Sequence, residues 1–165
     1  MLNLDWEKFE MKLLKFFAVF AILFFAVFAT QTQTNAQTRQ SVSASEVNGT
    51  FRDYFEGKYK GNFNEVKILA LGKGKLRVAF QLVYPFTDGT GALSANTGEA
   101  NGTATIEGDT ATFSPDETDG CVITIKFVKR GTIIVSQEGV GECGFGLNVN
   151  SQGTYKKSSS AKPKF

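Results

Sequence analysis

The sequence predicts a single all-β domain, an antiparallel meander of about eight to nine strands with a barrel favoured over a two-sheet sandwich. Several stretches alternate apolar and polar residues with a period of two, which is typical of half-buried strands. Short glycine-containing segments separate these stretches, as in β-hairpins. The length of 165 residues fits one domain. Closure is favoured because a barrel leaves no exposed strand edge.

Residues 1–36 are predicted to be a signal peptide. Lys12 and Lys15 precede a 14-residue apolar run, residues 16–29, and Thr34-Asn35-Ala36 places small residues where a signal peptidase cleaves. A membrane span needs roughly 20 apolar residues, so an uncleaved anchor is the less favoured alternative. Cleavage after Ala29 is a second possibility.

The true start is predicted to be Met11, because the first ten residues carry three acids and one lysine whereas a signal peptide begins with net positive charge. No cysteine follows the apolar run directly, so no lipid-modified cysteine is expected there. The mature protein is therefore expected to be exported, periplasmic or extracellular, without a stable membrane anchor after cleavage.

The mature chain divides by composition into three parts. Residues 37–47 are small and polar and predict a flexible lead-in, and residues 158–165 predict a disordered tail. Residues 48–157 form the predicted β-domain, in which residues 76–84 show the clearest period-two alternation. The predicted strands are Thr50–Phe55, Val66–Leu71, Lys75–Tyr84, Gly98–Ile106, Thr110–Phe113, Cys121–Lys129, Thr132–Gln137, Gly144–Val149 and Thr154–Lys157.

The two cysteines, Cys121 and Cys143, are predicted to form a disulfide, since an even number in an exported chain indicates a bridge. Strand pairing brings both to the same end of the meander. The bridge closes a loop of 23 residues and is expected to add about 3 kcal/mol by constraining the unfolded chain.

Candidate binding residues lie near the C-terminus. In Cys143-Gly144-Phe145-Gly146 the glycines let the backbone turn sharply, so that Phe145 is either an exposed anchor for a partner or a side chain packed beside the disulfide. Tyr155 and Lys156 are the other two candidates. The aromatic residues near the start predict either a ligand platform or closure of one end of the core; they are Phe51, Tyr54, Phe55, Tyr59 and Phe63.

The amino-acid composition excludes several kinds of catalytic and metal site. The chain has no histidine, which excludes Ser-His-Asp and Cys-His catalysis and His-containing zinc sites. A net charge of +2 gives no argument for nucleic acid. No catalytic role, metal or cofactor is predicted. The loop acids indicate solvated loops, with a carboxylate enzyme as the lesser alternative; they are Asp116, Glu117, Asp119, Glu138 and Glu142.

The C-terminal pattern, which runs through Cys143-Gly144-Phe145-Gly146-x-Asn148-Val149 and Gly153-Thr154-Tyr155-Lys156, resembles that of small exported bacterial β-proteins of unassigned function. The architecture is loosely similar to periplasmic C-type lysozyme inhibitors, which carry a Ser-Gly-x-x-Tyr loop. Here one residue separates Ser151 from Gly153, so no inhibitory residue is carried over.

The sequence favours an exported non-enzymatic binding module that contacts a protein partner through loops at one end of the β-domain. A barrel-type carrier of a small ligand and a structural envelope protein are the alternatives. The oligomeric state stays open.

Overall fold

The computed structural model describes residues 41–115, 120–129, 131–139 and 143–165. A short helix α1 (Ala44–Val47) precedes the strands, and a 3-10 helix (Gly57–Tyr59) lies between the first two. The strands are β1 (Gly49–Tyr54), β2 (Phe63–Gly72), β3 (Lys75–Thr87), β4 (Leu93–Glu107), β5 (Thr110–Phe113), β6 (Val122–Val128), β7 (Thr132–Glu138) and β8 (Gly153–Ser159).

The eight strands form one closed antiparallel barrel in chain order, in which β8 pairs with β1. The predicted all-β meander and its closure are therefore confirmed. The predicted signal peptide lies outside the described residues. The described part of the chain contains no helix with the length and hydropathy of a membrane span.

Period-two alternation separates the inside of the barrel from the outside. In β3 the even-numbered residues from Leu76 to Leu82 are buried, whereas Lys75 and Arg77 are exposed. The same pattern in β6 buries Ile123 and Ile125. The interior is filled by large side chains, of which Phe51, Phe80, Phe113, Phe145 and Tyr155 are the bulkiest buried ones.

One predicted strand is wrong. Residues 144–149 are irregular, and β7 pairs directly with β8 in their place. The backbone has positive φ at Cys143, Gly144, Gly146 and Asn148, and such alternation of left-handed residues with ordinary ones cannot form an extended strand.

The two ends of the β-domain are more ordered than the sequence predicts. Within the predicted lead-in, Ser43 N donates to Glu46 Oε2 at 3.0 Å ahead of α1, and Val47 is buried. At the C-terminus β8 extends to Ser159, and the Phe165 ring lies 4.5 Å from the Arg77 guanidinium.

Lys157 holds the N-terminal helix on the barrel. Its Nζ donates to the carbonyl oxygens of Ser45, Glu46 and Asn48 at 3.0, 2.7 and 2.9 Å, and it lies 5.1 Å from the centre of the Phe51 ring. The ammonium therefore satisfies the free carbonyls at the C-terminal end of α1. Burial lowers the pKa of Lys157, an effect that nearby Glu46 opposes.

Replacement of Lys157 by Met is expected to lower the free energy of unfolding by about 2 kcal/mol, because hydrogen bonds from a charged donor are lost and their carbonyl acceptors stay partly buried. Urea unfolding measures this loss. Lys156→Met is the matched control, since the exposed neighbouring lysine faces the solvent, and it should change stability by no more than about 0.5 kcal/mol. Equal losses in the two variants would contradict the role given to Lys157.

Candidate functional site

The connections at the two ends of the barrel differ in length. Connections of only two or three residues follow β2, β4 and β6 at one end, which we call the short-turn end. The connections after β1, β3, β5 and β7 all lie at the other end, which we call the long-loop end. That a partner is contacted through loops at one end stays a prediction; the longer connections that could form such a surface lie at the long-loop end.

The segment 143–151 folds back into the mouth of the barrel at the long-loop end, and we call it the plug. Phe145 and Val149 of the plug are buried. The Phe145 ring packs 6.3 Å from the Phe80 ring, which in turn stacks on Phe113 at 5.8 Å. The Phe145 backbone also lies against Gly98 of β4, where any Cβ would overlap the Phe145 carbonyl oxygen.

The predicted Cys121–Cys143 disulfide is confirmed, with a Cα–Cα distance of 5.3 Å and both residues buried. It joins the residue before β6 to the first residue of the plug. The bridge therefore anchors the plug to the barrel wall at the long-loop end, which is the end that strand pairing predicted.

The three candidate binding residues do not form one surface. Phe145 is only 1% exposed and Tyr155 is fully buried, so neither side chain is available to a partner. Of the two alternatives predicted for Phe145, the structure therefore matches the packed side chain and not the exposed anchor. Lys156 is exposed on the outside of β8, opposite Arg52 and Thr132 on the neighbouring strands.

At the long-loop mouth, where strand pairing ends, polar side chains make hydrogen bonds in place of the strand ladder. Asn64 Oδ1 accepts a hydrogen bond from Val83 N at 2.8 Å, just beyond the last paired residues of β2 and β3. Ser151 N and Oγ donate to Gln137 Oε1 at 3.0 and 2.9 Å, which ties the end of the plug to β7. Tyr155 donates its hydroxyl to Ser151 O at 2.8 Å.

Asp53 lies beside Gly153 and close to Tyr155. Its carboxylate lies against Gly153, where an added Cβ would be 2.5 Å from Oδ2. Burial raises the pKa of Asp53. Burial also raises the pKa of Tyr155, and the nearby charge of Asp53 raises it further.

The β3–β4 hairpin extends past its neighbours, because β3 pairs with β2 only up to Gln81 and β4 pairs with β5 only from Thr105. Residues 83–97 thus form a two-stranded projection at the long-loop end, which we call the arm. The sequence predicted strands that end at Tyr84 and restart at Gly98. Pro85 is accepted within β3 because this part of the strand has a ladder partner on one side only.

Hydrogen bonds to one carboxylate stabilise the turn at the tip of the arm. Asp88 Oδ1 accepts from Thr90 N, Thr90 Oγ1 and Ala92 N at 2.8, 2.6 and 3.0 Å, and these bonds lower the pKa of Asp88. Lys58 Nζ donates to Thr87 Oγ1 at 3.0 Å and braces the arm from the β1–β2 connection. Asp88 is also the only charged residue in the arm.

Exposed apolar side chains mark the arm and the adjoining plug. Leu93 and Leu147 are each 65% exposed, and Tyr84 is 40% exposed. Asn96, which lies opposite Tyr84, donates Nδ2 to Leu147 O at 2.9 Å and so joins the arm to the plug. Tyr84 lies on the face of the arm that carries Asn96, whereas Leu93, opposite Thr87, lies on the other face. We call the exposed apolar side chains on both faces of the arm and on the plug, namely Tyr84, Leu93 and Leu147, the long-loop surface. Sequence reasoning missed all three, although the low charge of residues 83–97, with Asp88 as the only charged residue, was a usable signal.

The loop acids form no defined site. Asp116, Glu117, Asp119 and Glu142 lie outside the described residues, and Glu138 is exposed at the end of β7. Within the described residues, no group of three or more histidine, cysteine, aspartate or glutamate side chains is placed to hold a metal ion.

Comparison of the chain with protein-family models, with curated proteins and with solved structures gave no match.

Replacement of Phe145 by Ala is expected to lower the free energy of unfolding by about 3–5 kcal/mol, because it leaves a cavity beneath Phe80. Leu147→Ala removes an exposed side chain of the same segment and should cost no more than about 0.5 kcal/mol. Chemical denaturation of both variants tests this difference. A loss below about 1 kcal/mol for Phe145→Ala would show that the side chain is not packed in the barrel.

Replacement of Asp53 by Asn is expected to stabilise the protein at neutral pH. Because the folded-state pKa lies above the unfolded value of about 3.9, folding favours the protonated carboxyl, and stability is lost as the pH rises through the folded-state pKa. The variant should match the wild type near about pH 3 and exceed it near about pH 7.

Asp88→Asn is the control of opposite sign, since the pKa of Asp88 is lowered in the folded protein. Its charge stabilises the folded protein at pH values above the unfolded-state pKa, so its loss should destabilise the protein there. Urea titrations of both variants across this pH range give the two slopes. The interpretation of Asp53 fails if its variant is less stable than the wild type at neutral pH.

Proposed function

We propose that the protein is an exported, non-enzymatic binding module that contacts a protein partner through the long-loop surface. The observation that carries this proposal is the arm, which projects from the barrel, is tied by hydrogen bonds at its tip and exposes Leu93 and Tyr84. Leu93 and Tyr84 lie on opposite faces of the arm, so a partner that encloses the projection contacts both. Exposed apolar side chains on a projecting element are typical of protein–protein contacts.

The arm suits a partner with an apolar and uncharged contact surface. Its only charge, Asp88, is occupied by hydrogen bonds within the tip, whereas charged residues make up 21% of the whole chain. A fixed tip also loses little conformational entropy on binding, which favours affinity. Leu147 extends the same contact area from the arm onto the plug.

The alternatives have less support. A carrier needs space inside the barrel, and here Phe51, Phe80, Phe113 and Tyr155 fill the interior while Phe145 covers one mouth. A purely structural envelope role gives no reason for exposed leucines on an ordered projection.

Export is supported by two observations. The sequence of residues 1–36 is typical of a signal peptide, although these residues lie outside the described structure. The Cys121–Cys143 disulfide is compatible with an oxidising compartment, such as the periplasm or the extracellular space.

Leu93→Ser and Tyr84→Ser are each expected to weaken partner binding by about tenfold or more, because a central apolar anchor is lost. The wild-type domain is immobilised, proteins from the exported fraction of its own source are captured, and the affinity of each purified captured protein is measured by biolayer interferometry.

Leu71→Ser is the matched control, since Leu71 is 54% exposed but lies at the short-turn end. Its affinity should equal that of the wild type. A captured protein that binds the Leu93 variant as tightly as the wild type, or that depends on Leu71, contradicts the proposed surface.

A further inference from the structure

We propose that a groove beside the base of the arm binds a neutral oligosaccharide. The groove has a volume of about 300 Å³ and crosses the outer face of β2, β3 and β4. Its principal side chains are Phe63, Glu65, Gln81, Val83, Thr97 and Glu99. This site is separate from the long-loop surface and does not depend on a protein partner.

Three polar side chains form one row across the groove. Glu65 lies directly opposite Gln81, and Gln81 lies directly opposite Glu99. Because neighbouring strands are about 4.8 Å apart, the row spans about 10 Å. Its exposed members, Gln81 and Glu99, present an amide with donor and acceptor atoms and a carboxylate, and these groups match the hydroxyls of a sugar.

The aromatic edge of the groove is held in place before any ligand arrives. The Arg52 guanidinium lies 4.1 Å over the Phe63 ring, and Tyr54 packs against the same ring with centroids 5.6 Å apart. Arg52 Nε also donates to Glu65 Oε2 at 2.7 Å. One arginine thus fixes both the ring and the first carboxylate of the row, as a preformed polar site requires.

The charges around the groove favour a neutral ligand. Glu65 is balanced by Arg52 at 2.7 Å and by Lys67 at 3.5 Å, and its side chain is only 8% exposed. Glu99 brings the sum of the two acids and the two bases to zero. A cationic peptide would gain little attraction here, and the face of Phe63 toward Arg52 is already occupied by a cation.

A polyhydroxylated ligand uses these groups without any net charge. Its hydroxyls donate to Glu99 and exchange hydrogen bonds with Gln81, both of which are exposed. Its C–H faces pack on the apolar edge formed by Phe63 and Val83. The ligand class assigned to the groove is therefore a short neutral glycan of hexose or N-acetylhexosamine units.

The test is a titration of the isotope-labelled mature protein with cellotriose and, separately, with chitotriose, followed by amide chemical shifts. Saturable shifts are expected for at least one sugar at residues 61–65, 81–83 and 97–99. Gln81→Ala and Glu99→Ala should each weaken binding by about fivefold or more, as the loss of one hydrogen bond predicts.

Glu138→Ala is the matched control, because Glu138 is an exposed acid at the end of β7. Its affinity should equal that of the wild type, and all three variants should keep the wild-type melting temperature. Absence of saturable shifts with both sugars at millimolar concentration overturns the proposal. Saturable shifts in this groove with trilysine in place of the sugars overturn the assignment to a neutral glycan.

Sugar binding in the groove should not depend on the long-loop surface. Leu93→Ser, which tests the protein partner, should leave sugar binding unchanged because Leu93 does not line the groove. Failure of the sugar titration therefore leaves the protein-partner proposal standing, and loss of the protein partner leaves the groove proposal standing.

Discussion

The short length of β5 is the constraint on which the rest of the structure depends. It pairs with only the last residues of β4, from Thr105 to Glu107, so the earlier part of β4 has no β5 partner. A barrel with such a gap would expose its interior near Gly98. Phe145 closes this place from within, and the Cys121–Cys143 bridge holds the plug there. The place beside β4 that β5 leaves unpaired is therefore covered by an irregular segment rather than by a ninth strand.

The same difference in strand length creates the surfaces that we propose for binding. Because β3 and β4 extend beyond both β2 and β5, residues 83–97 project as the arm. The groove lies where this hairpin leaves the barrel, so its wall includes Val83 and Thr97. Hydrogen bonds to Asp88 and Thr87 then hold the arm in the position that the strands set.

The filled interior supports the long-loop end of the barrel. Phe80 contacts both Phe113 and the plug residue Phe145, so the plug is packed on the same cluster that supports the barrel wall. At the opposite end Lys157 holds α1 across the barrel. Both mouths are therefore covered, and the surfaces proposed to bind ligands lie outside the barrel.

The sequence by itself determined the strands, most of their turns and the disulfide, since these follow from local period-two alternation, glycine in tight connections and a single pair of cysteines. Tertiary structure decided that residues 144–149 are irregular instead of a strand, and it decided which candidate residues are exposed. Phe145 and Val149 are buried and Leu147 between them is exposed, because their environment depends on a gap beside β4, a strand distant in sequence. The local residue pattern does not show which strands extend beyond their paired neighbours. The arm and the groove could therefore be recognised only from the pairing of the strands.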